Sequence, residues 1–121
     1  MQNYRELRVW EKAHLFVLKV YDVTKTFPKE ETYGLTNQMR RCSASIPANI
    51  VEGCGKFGRL ELAHFLNIAL GSSNEAEYYL VLSKDLRYLS NETFNTLNTL
   101  INEIKAMLIS LIQKVRQHPK T

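Results

Sequence analysis

Apolar residues recur along this chain in steps of three and four, the spacing that keeps one face of an α-helix turned toward a partner. The first track runs Trp10, Ala13, Val17, Val20, Thr24 and Phe27. Pro28 closes it, because proline disfavours helical geometry in the residue before it and cannot extend the hydrogen-bond ladder. Val9, Leu15, Phe16, Leu18 and Val23 widen the same helix beyond a single seam. That width predicts a second buried contact, within the bundle or between subunits, with Phe16 as a candidate interface residue.

The second track is Leu35, Met39, Cys42, Ile46, Ile50 and Gly53, with Pro47 inside it. A helix that runs through Pro47 loses one backbone bond, leaves the Ser43 carbonyl without its usual donor and bends there. At roughly 100° per residue, Arg41, Ser45, Ala48 and Glu52 fall opposite the apolar seam. This back stripe is small in its middle and charged at its ends. It reads either as a solvated face or as a place where Ser45 and Ala48 let a helix of another subunit approach closely.

Gly53, Gly55 and Gly58 break the pattern as a C-cap and link. The third track follows with Leu62, Phe65 or Leu66, Ala69, Ser72 or Ser73, Ala76, Leu80 and Ser83, and Gly71 alongside. Small residues in mid-helix admit a close neighbour, so this stretch is expected against a bulky partner such as Trp10 or the Leu and Ile of the fourth helix. Ser90 offers an N-cap ahead of Glu92. The last track, Leu97, Leu100 or Ile101, Ile104, Met107 or Leu108, Leu111 and Val115, is the most regular. Pro119 ends it, in a basic tail of Lys114, Arg116, His118 and Lys120. Helices over roughly residues 8–26, 31–54, 59–88 and 92–117, joined by short turns, predict an all-α protein: one antiparallel up-down-up-down four-helix bundle spanning 1–121.

Composition agrees with a folded chain. Its 121 residues support a single core, and 45% hydrophobic with 23% charged residues is an ordinary globular balance. No run of about 18 uncharged apolar residues exists to span a membrane. Charges of both signs between Met1 and Glu11 do not make a secretory signal, so a cytoplasmic protein is expected. Cys42 and Cys54 are expected to be reduced, structural thiols. The net charge of +4 permits an anionic partner.

Catalysis needs polar groups that converge, such as a nucleophile beside its base. None is spelled out. The glycines between Glu52 and Arg59 lack the Lys-Ser or Lys-Thr pair of a P-loop and a preceding strand. Glu61 and His64 match the Glu-x-x-His pattern of di-iron bundles once, without a second copy. The expectation is no enzyme, no cofactor and no metal. Glu75 and Glu77 beside Tyr78 and Tyr79 read as water-facing groups or as a hydrogen-bonded buried pair. Arg40 and Arg41 with Lys29, and Lys56 with Arg59, are the basic groups nearest the first two links, and such groups can meet phosphate. In an antiparallel bundle Lys56 and Arg59 stand at one end, with Arg40 and Arg41 further along the second helix.

Several strings, in order, carry a resemblance: Arg8-Val9-Trp10-Glu11-Lys12-Ala13-His14, Phe27-Pro28-Lys29-Glu30-Glu31, Tyr33-Gly34-Leu35-Thr36 and Gln38-Met39-Arg40-Arg41. Ser45-Ile46-Pro47-Ala48-Asn49-Ile50 with Glu52-Gly53, and Phe65-Leu66-Asn67-Ile68-Ala69 leading into Gly71-Ser72, continue it. The chain resembles the bacterial 23S rRNA-intervening sequence proteins, whose reading frames were noticed within large-subunit ribosomal RNA genes. The resemblance implies a four-helix bundle, a ring-like homopentamer and an association with the ribosome. Its retroelement branch implies a basic surface for RNA or DNA and for a reverse transcriptase. The family's paired arginines fall on Arg40 and Arg41, and a position usually arginine falls on Lys56. Where the family carries a polar or basic run with serine before the third helix, this chain has Phe57, Gly58, Arg59 and Leu60. Two functional readings follow: a homo-oligomeric, nucleic-acid-associated accessory protein using Arg40, Arg41, Lys56 and Arg59, or a protein-interaction scaffold with no nucleic-acid role.

Overall fold

The computed structural model describes residues 2–117, and the expected stop at Pro119, with His118 and Lys120, lies outside them. Four helices make the architecture: α1 (Arg8–Thr24), α2 (Leu35–Cys54), α3 (Arg59–Asp85) and α4 (Asn91–Arg116). Single 3-10 turns at Tyr4–Glu6 and Lys29–Glu31 precede α1 and α2. Each helix packs on its sequence neighbours and α4 closes onto α1, while α1 and α3 lie across one diagonal and α2 and α4 across the other. This is an all-α bundle of up-down-up-down order. No helix among the described residues is long and apolar enough to cross a membrane.

The ends of the helices are set by specific bonds. α1 stops at Thr24, two residues early, because the chain tightens into i→i+3 bonds from Lys25, Thr26 and Phe27 to the carbonyls of Asp22, Val23 and Thr24. α2 starts at Leu35, where the Glu31 carboxylate accepts the Leu35 N–H at 3.2 Å and the Tyr88 hydroxyl at 3.0 Å. An anion at a helix N-terminus is favoured by the helix dipole, so residues 31–34 serve as a cap. Ser90 caps α4 as expected, its Oγ accepting from the Thr93 N–H at 3.1 Å.

α3 closes in a Schellman motif. Tyr88 N–H donates to the Ser83 carbonyl and Arg87 N–H to the Lys84 carbonyl, both at 2.9 Å. The residue in the left-handed position, at φ 67°, is Arg87. Glycine is the usual occupant there, and its absence from the sequence hides the end of the helix.

Pro47 lies buried within a continuous α2. With no N–H of its own, it denies the Ser43 carbonyl the i+4 donor, and the neighbouring Ser43 Oγ is itself buried without a partner. The core between the helices is filled by Phe16, Ile46, Ile50, Leu66, Leu80, Ile101, Ile104 and Leu108, all fully buried. Phe16 is 0% exposed, which corrects its reading as an interface residue: it packs inside its own bundle. Leu15, Leu18 and Tyr21 are the large apolar side chains of α1 that stay outside.

Of the small residues of α3, Ser72 and Ser83 meet α2, and Trp10 is not their partner. Because α1 and α3 are diagonal, Trp10 cannot reach that seam; it packs edge-on against Tyr4 at 5.0 Å and stacks on His14 at 5.1 Å. Ser45 Oγ and Ser72 Oγ are bonded at 2.9 Å between α2 and α3, and Ser83 Oγ lies 3.2 Å from the Met39 sulfur. At Gly53 a Cβ would meet Phe65 Cβ at 3.0 Å and the Leu62 carbonyl oxygen at 3.3 Å. Gly71 takes no part in this packing, since a Cβ there would meet nothing within 4 Å. Ion pairs tie α4 to its neighbours, Lys12 to Glu103 at 3.0 Å and Lys105 to Glu77 at 2.7 Å. The hydrogen bond from Lys105 holds the Glu77 carboxyl below its ordinary value.

Two glycines in neighbouring helices should therefore respond in opposite directions in urea unfolding. Gly71→Ala gains about 0.5–1 kcal/mol from helix propensity, whereas Gly53→Ala loses about 1–3 kcal/mol to overpacking. Equal responses would contradict the seam. Arg87→Gly should raise stability by about 0.5–1 kcal/mol by relieving the left-handed backbone, net of glycine's greater unfolded-state freedom; a loss on substitution would show that the arginine side chain matters more than its backbone.

Candidate nucleic-acid interface

The paired arginines of α2 have different surroundings. Arg40 reaches across to the last turn of α1, where Nε donates to Thr24 Oγ1 at 2.9 Å and an Nη donates to the Tyr21 carbonyl at 3.3 Å. Its guanidinium also sits over the Tyr21 ring, 4.6 Å from the centroid. A cation bonded to a carbonyl in the last turn of a helix is favoured by the helix dipole and meets an acceptor that has no helical donor. Arg40 is thus engaged in joining α1 to α2. Arg41 is exposed, with no side-chain hydrogen bond or ion pair among the described residues, one position away on the outer face of α2.

Lys56 and Arg59 flank the corner where α2 turns into α3. Lys56 Nζ lies 3.4 Å from Glu52 and 5.5 Å from the centre of the Phe65 ring. Arg59 is half-buried at the first position of α3. Gln2 N–H donates to the Cys54 carbonyl at 2.9 Å, drawing the N-terminal segment to the same corner. Together these residues line a shallow polar hollow of about 150 Å³. The N-terminus of α3 has Gly58 as its N-cap and no side-chain cap, so its first N–H groups retain their capacity to meet an acceptor. Phe57 is 88% exposed and Leu60 74% exposed. Phe57 was legible as a departure from a polar run, and not as an aromatic held out in solvent between two cations.

Thirteen helical steps of α2 separate Arg41 from Cys54, about 20 Å at the usual rise, before the turn that carries Lys56. The four candidate cations therefore form no single patch. Arg59 and Lys56 come together, Arg41 stands apart, and Arg40 is occupied. The antiparallel order brings other cations to the α2–α3 corner end, and periodicity alone did not single them out. Across the terminal turns and links there, Arg5, Arg8, Lys56, Arg59, Lys114 and Arg116 face Glu6, Glu11, Glu52 and Glu61. At the other end Lys25, Lys29, Lys84 and Arg87 face Asp22, Glu30, Glu31, Asp85 and Glu92. The described end turns are thus mildly basic at one pole and not at the other.

The interface candidates on α2 also divide. Ser45 spends its hydroxyl on Ser72 and on Asn49 Nδ2, at 2.9 Å each, within the subunit. Ala48 is exposed, beside the equally exposed Val51. Burial pushes the Cys42 thiol up to about 12 and raises that of Cys54, so neither is an available thiolate. Glu61 and His64 both face solvent, and among the described residues no three His, Cys, Asp or Glu come together to hold a metal ion. Tyr79 donates to Glu75 at 3.4 Å on the exposed side of α3, so the two are bonded at the surface and not as a buried pair.

No curated protein matches the chain. Among solved structures it is similar to a protein of unknown function from the S23 ribosomal protein family of Bacteroides thetaiotaomicron, at 30% identity and a TM-score of 0.80. That alignment covers 87% of this chain and 95% of the other. The family model for the 23S rRNA-intervening sequence protein matches residues 5–110, nearly the whole of the bundle just described. The chain belongs to the 23S rRNA-intervening sequence protein family.

Proposed function

We propose that this protein is a non-enzymatic, homo-oligomeric accessory protein that associates with nucleic acid through the α2–α3 corner. The observation that carries the reading is the run Lys56-Phe57-Gly58-Arg59 at an uncapped helix N-terminus. Two cations and free backbone N–H groups suit a phosphate, and an exposed aromatic beside them suits an unpaired base, which stacks on such rings with little regard to sequence. The family's link to intervening sequences of 23S rRNA makes structured RNA the first nucleic acid to consider. Arg41 adds a separate, weaker phosphate contact along α2. The assembly is a ring of five, in which the outward Ala48 surface of α2 meets another subunit. The work is done in the cytoplasm, with a reverse transcriptase as one candidate protein partner.

The apolar side chains left outside on α1, Leu15, Leu18 and Tyr21, favour a second reading, a protein-interaction scaffold. Fluorescence anisotropy with a structured RNA and with duplex DNA, at two salt concentrations, separates the two. The accessory reading expects binding that weakens as salt rises, with Lys56→Gln and Arg59→Gln together costing about two units of the log–log salt slope. Phe57→Ala should weaken a single-stranded probe more than a duplex. Binding absent at micromolar protein, or indifferent to these substitutions, would leave the scaffold reading. Light scattering tests the assembly: the native chain should run as a multiple of the monomer, and Ala48→Glu should lower that multiple without unfolding the helices. A native monomer would end the oligomeric proposal.

A further inference from the structure

A second concave feature lies at the same pole, between the start of α1 and the last turns of α4. It is a groove of about 370 Å³. Leu7, Val9, Met107 and Leu111 supply its apolar lining, with Val9 buried and the other three half-buried. Arg8 on one wall and Lys114 on the other are exposed, and neither makes an ion pair among the described residues.

The geometry points to a binding site for a single-chain amphiphilic carboxylate, its alkyl chain along the groove and its head group between Arg8 and Lys114. Three features select this ligand. The lining is apolar with few polar groups, and the volume falls at the lower end of small-molecule pockets. Along α4 the groove runs from Ala106 to Lys114, about 12 Å at the helical rise, a length that accepts an extended alkyl segment. Two cations beside an apolar wall make a complementary field for one anion. The inference does not depend on nucleic-acid binding at the α2–α3 corner.

The probe is dodecanoate below its micelle threshold, followed by titration calorimetry and by fluorescence of Trp10, the single tryptophan, two residues from Arg8. Saturable binding at one dodecanoate per chain is expected. Replacing both rim cations, Arg8→Gln with Lys114→Gln, should weaken it at least about tenfold, as loss of charged hydrogen bonds does. Ala106→Phe, at an exposed position on the wall, should block the slot and abolish uptake, while Lys29→Gln at the opposite pole should leave it unchanged. Circular dichroism of each variant establishes that the bundle is intact. The assignment is overturned by absence of saturable binding, by equal uptake of dodecanol, by uptake only as micelles form, or by indifference to the rim and wall variants.

Discussion

The close seam between α2 and α3 governs where everything else stands. At Gly53 the two helices approach so nearly that a single methyl group would press on the Phe65 side-chain stem and the Leu62 backbone. Further along, the Ser45–Ser72 hydroxyl bond and the Ser83–Met39 contact hold the same separation. Packing of this kind transmits displacement, because a filled interior has little free volume to absorb it. With α2 and α3 set, α4 closes the remaining side through its regular Leu and Ile positions, and α1 enters the last space with Phe16 wholly enclosed. The turn from Cys54 to Arg59 is then short and forced outward, which leaves Phe57 and Leu60 in solvent at the pole.

The helices and their order were legible because the apolar period is strong and each helix is long. The ends were less so. Thr24, Leu35 and Asp85 are set by local bonds involving Thr24, Glu31 and Arg87, and none of these announces itself in an apolar pattern. Arg87 is the clearest case: a Schellman turn without glycine looks like continuing helix. Trp10 was the wrong bulky partner for the small residues of α3 because periodicity gives the face of a helix and not which neighbour covers it; only the diagonal placement of α1 and α3 decides that.

The candidate site was legible in part for the same reason. Lys56 and Arg59 could be placed together from antiparallel order alone. The separate fates of Arg40 and Arg41, adjacent in sequence and about 100° apart around the helix, follow from the third dimension. One turns to the Tyr21 carbonyl and the Thr24 hydroxyl in the last turn of α1 and becomes an internal tie, and the other turns outward. Phe16 and Leu15 divide in the same way: both belong to a wide apolar surface, yet one is core and the other remains at the surface.

The two cysteines have a practical side. Both are buried, and burial keeps both protonated, Cys42 up to about 12. The described surface therefore offers no competing native thiol. A single cysteine placed at the α2–α3 corner or on the wall of the α1–α4 groove would be the fast-reacting sulfur of the folded chain, so a spectroscopic label can be set at either place with the native core sequence left intact.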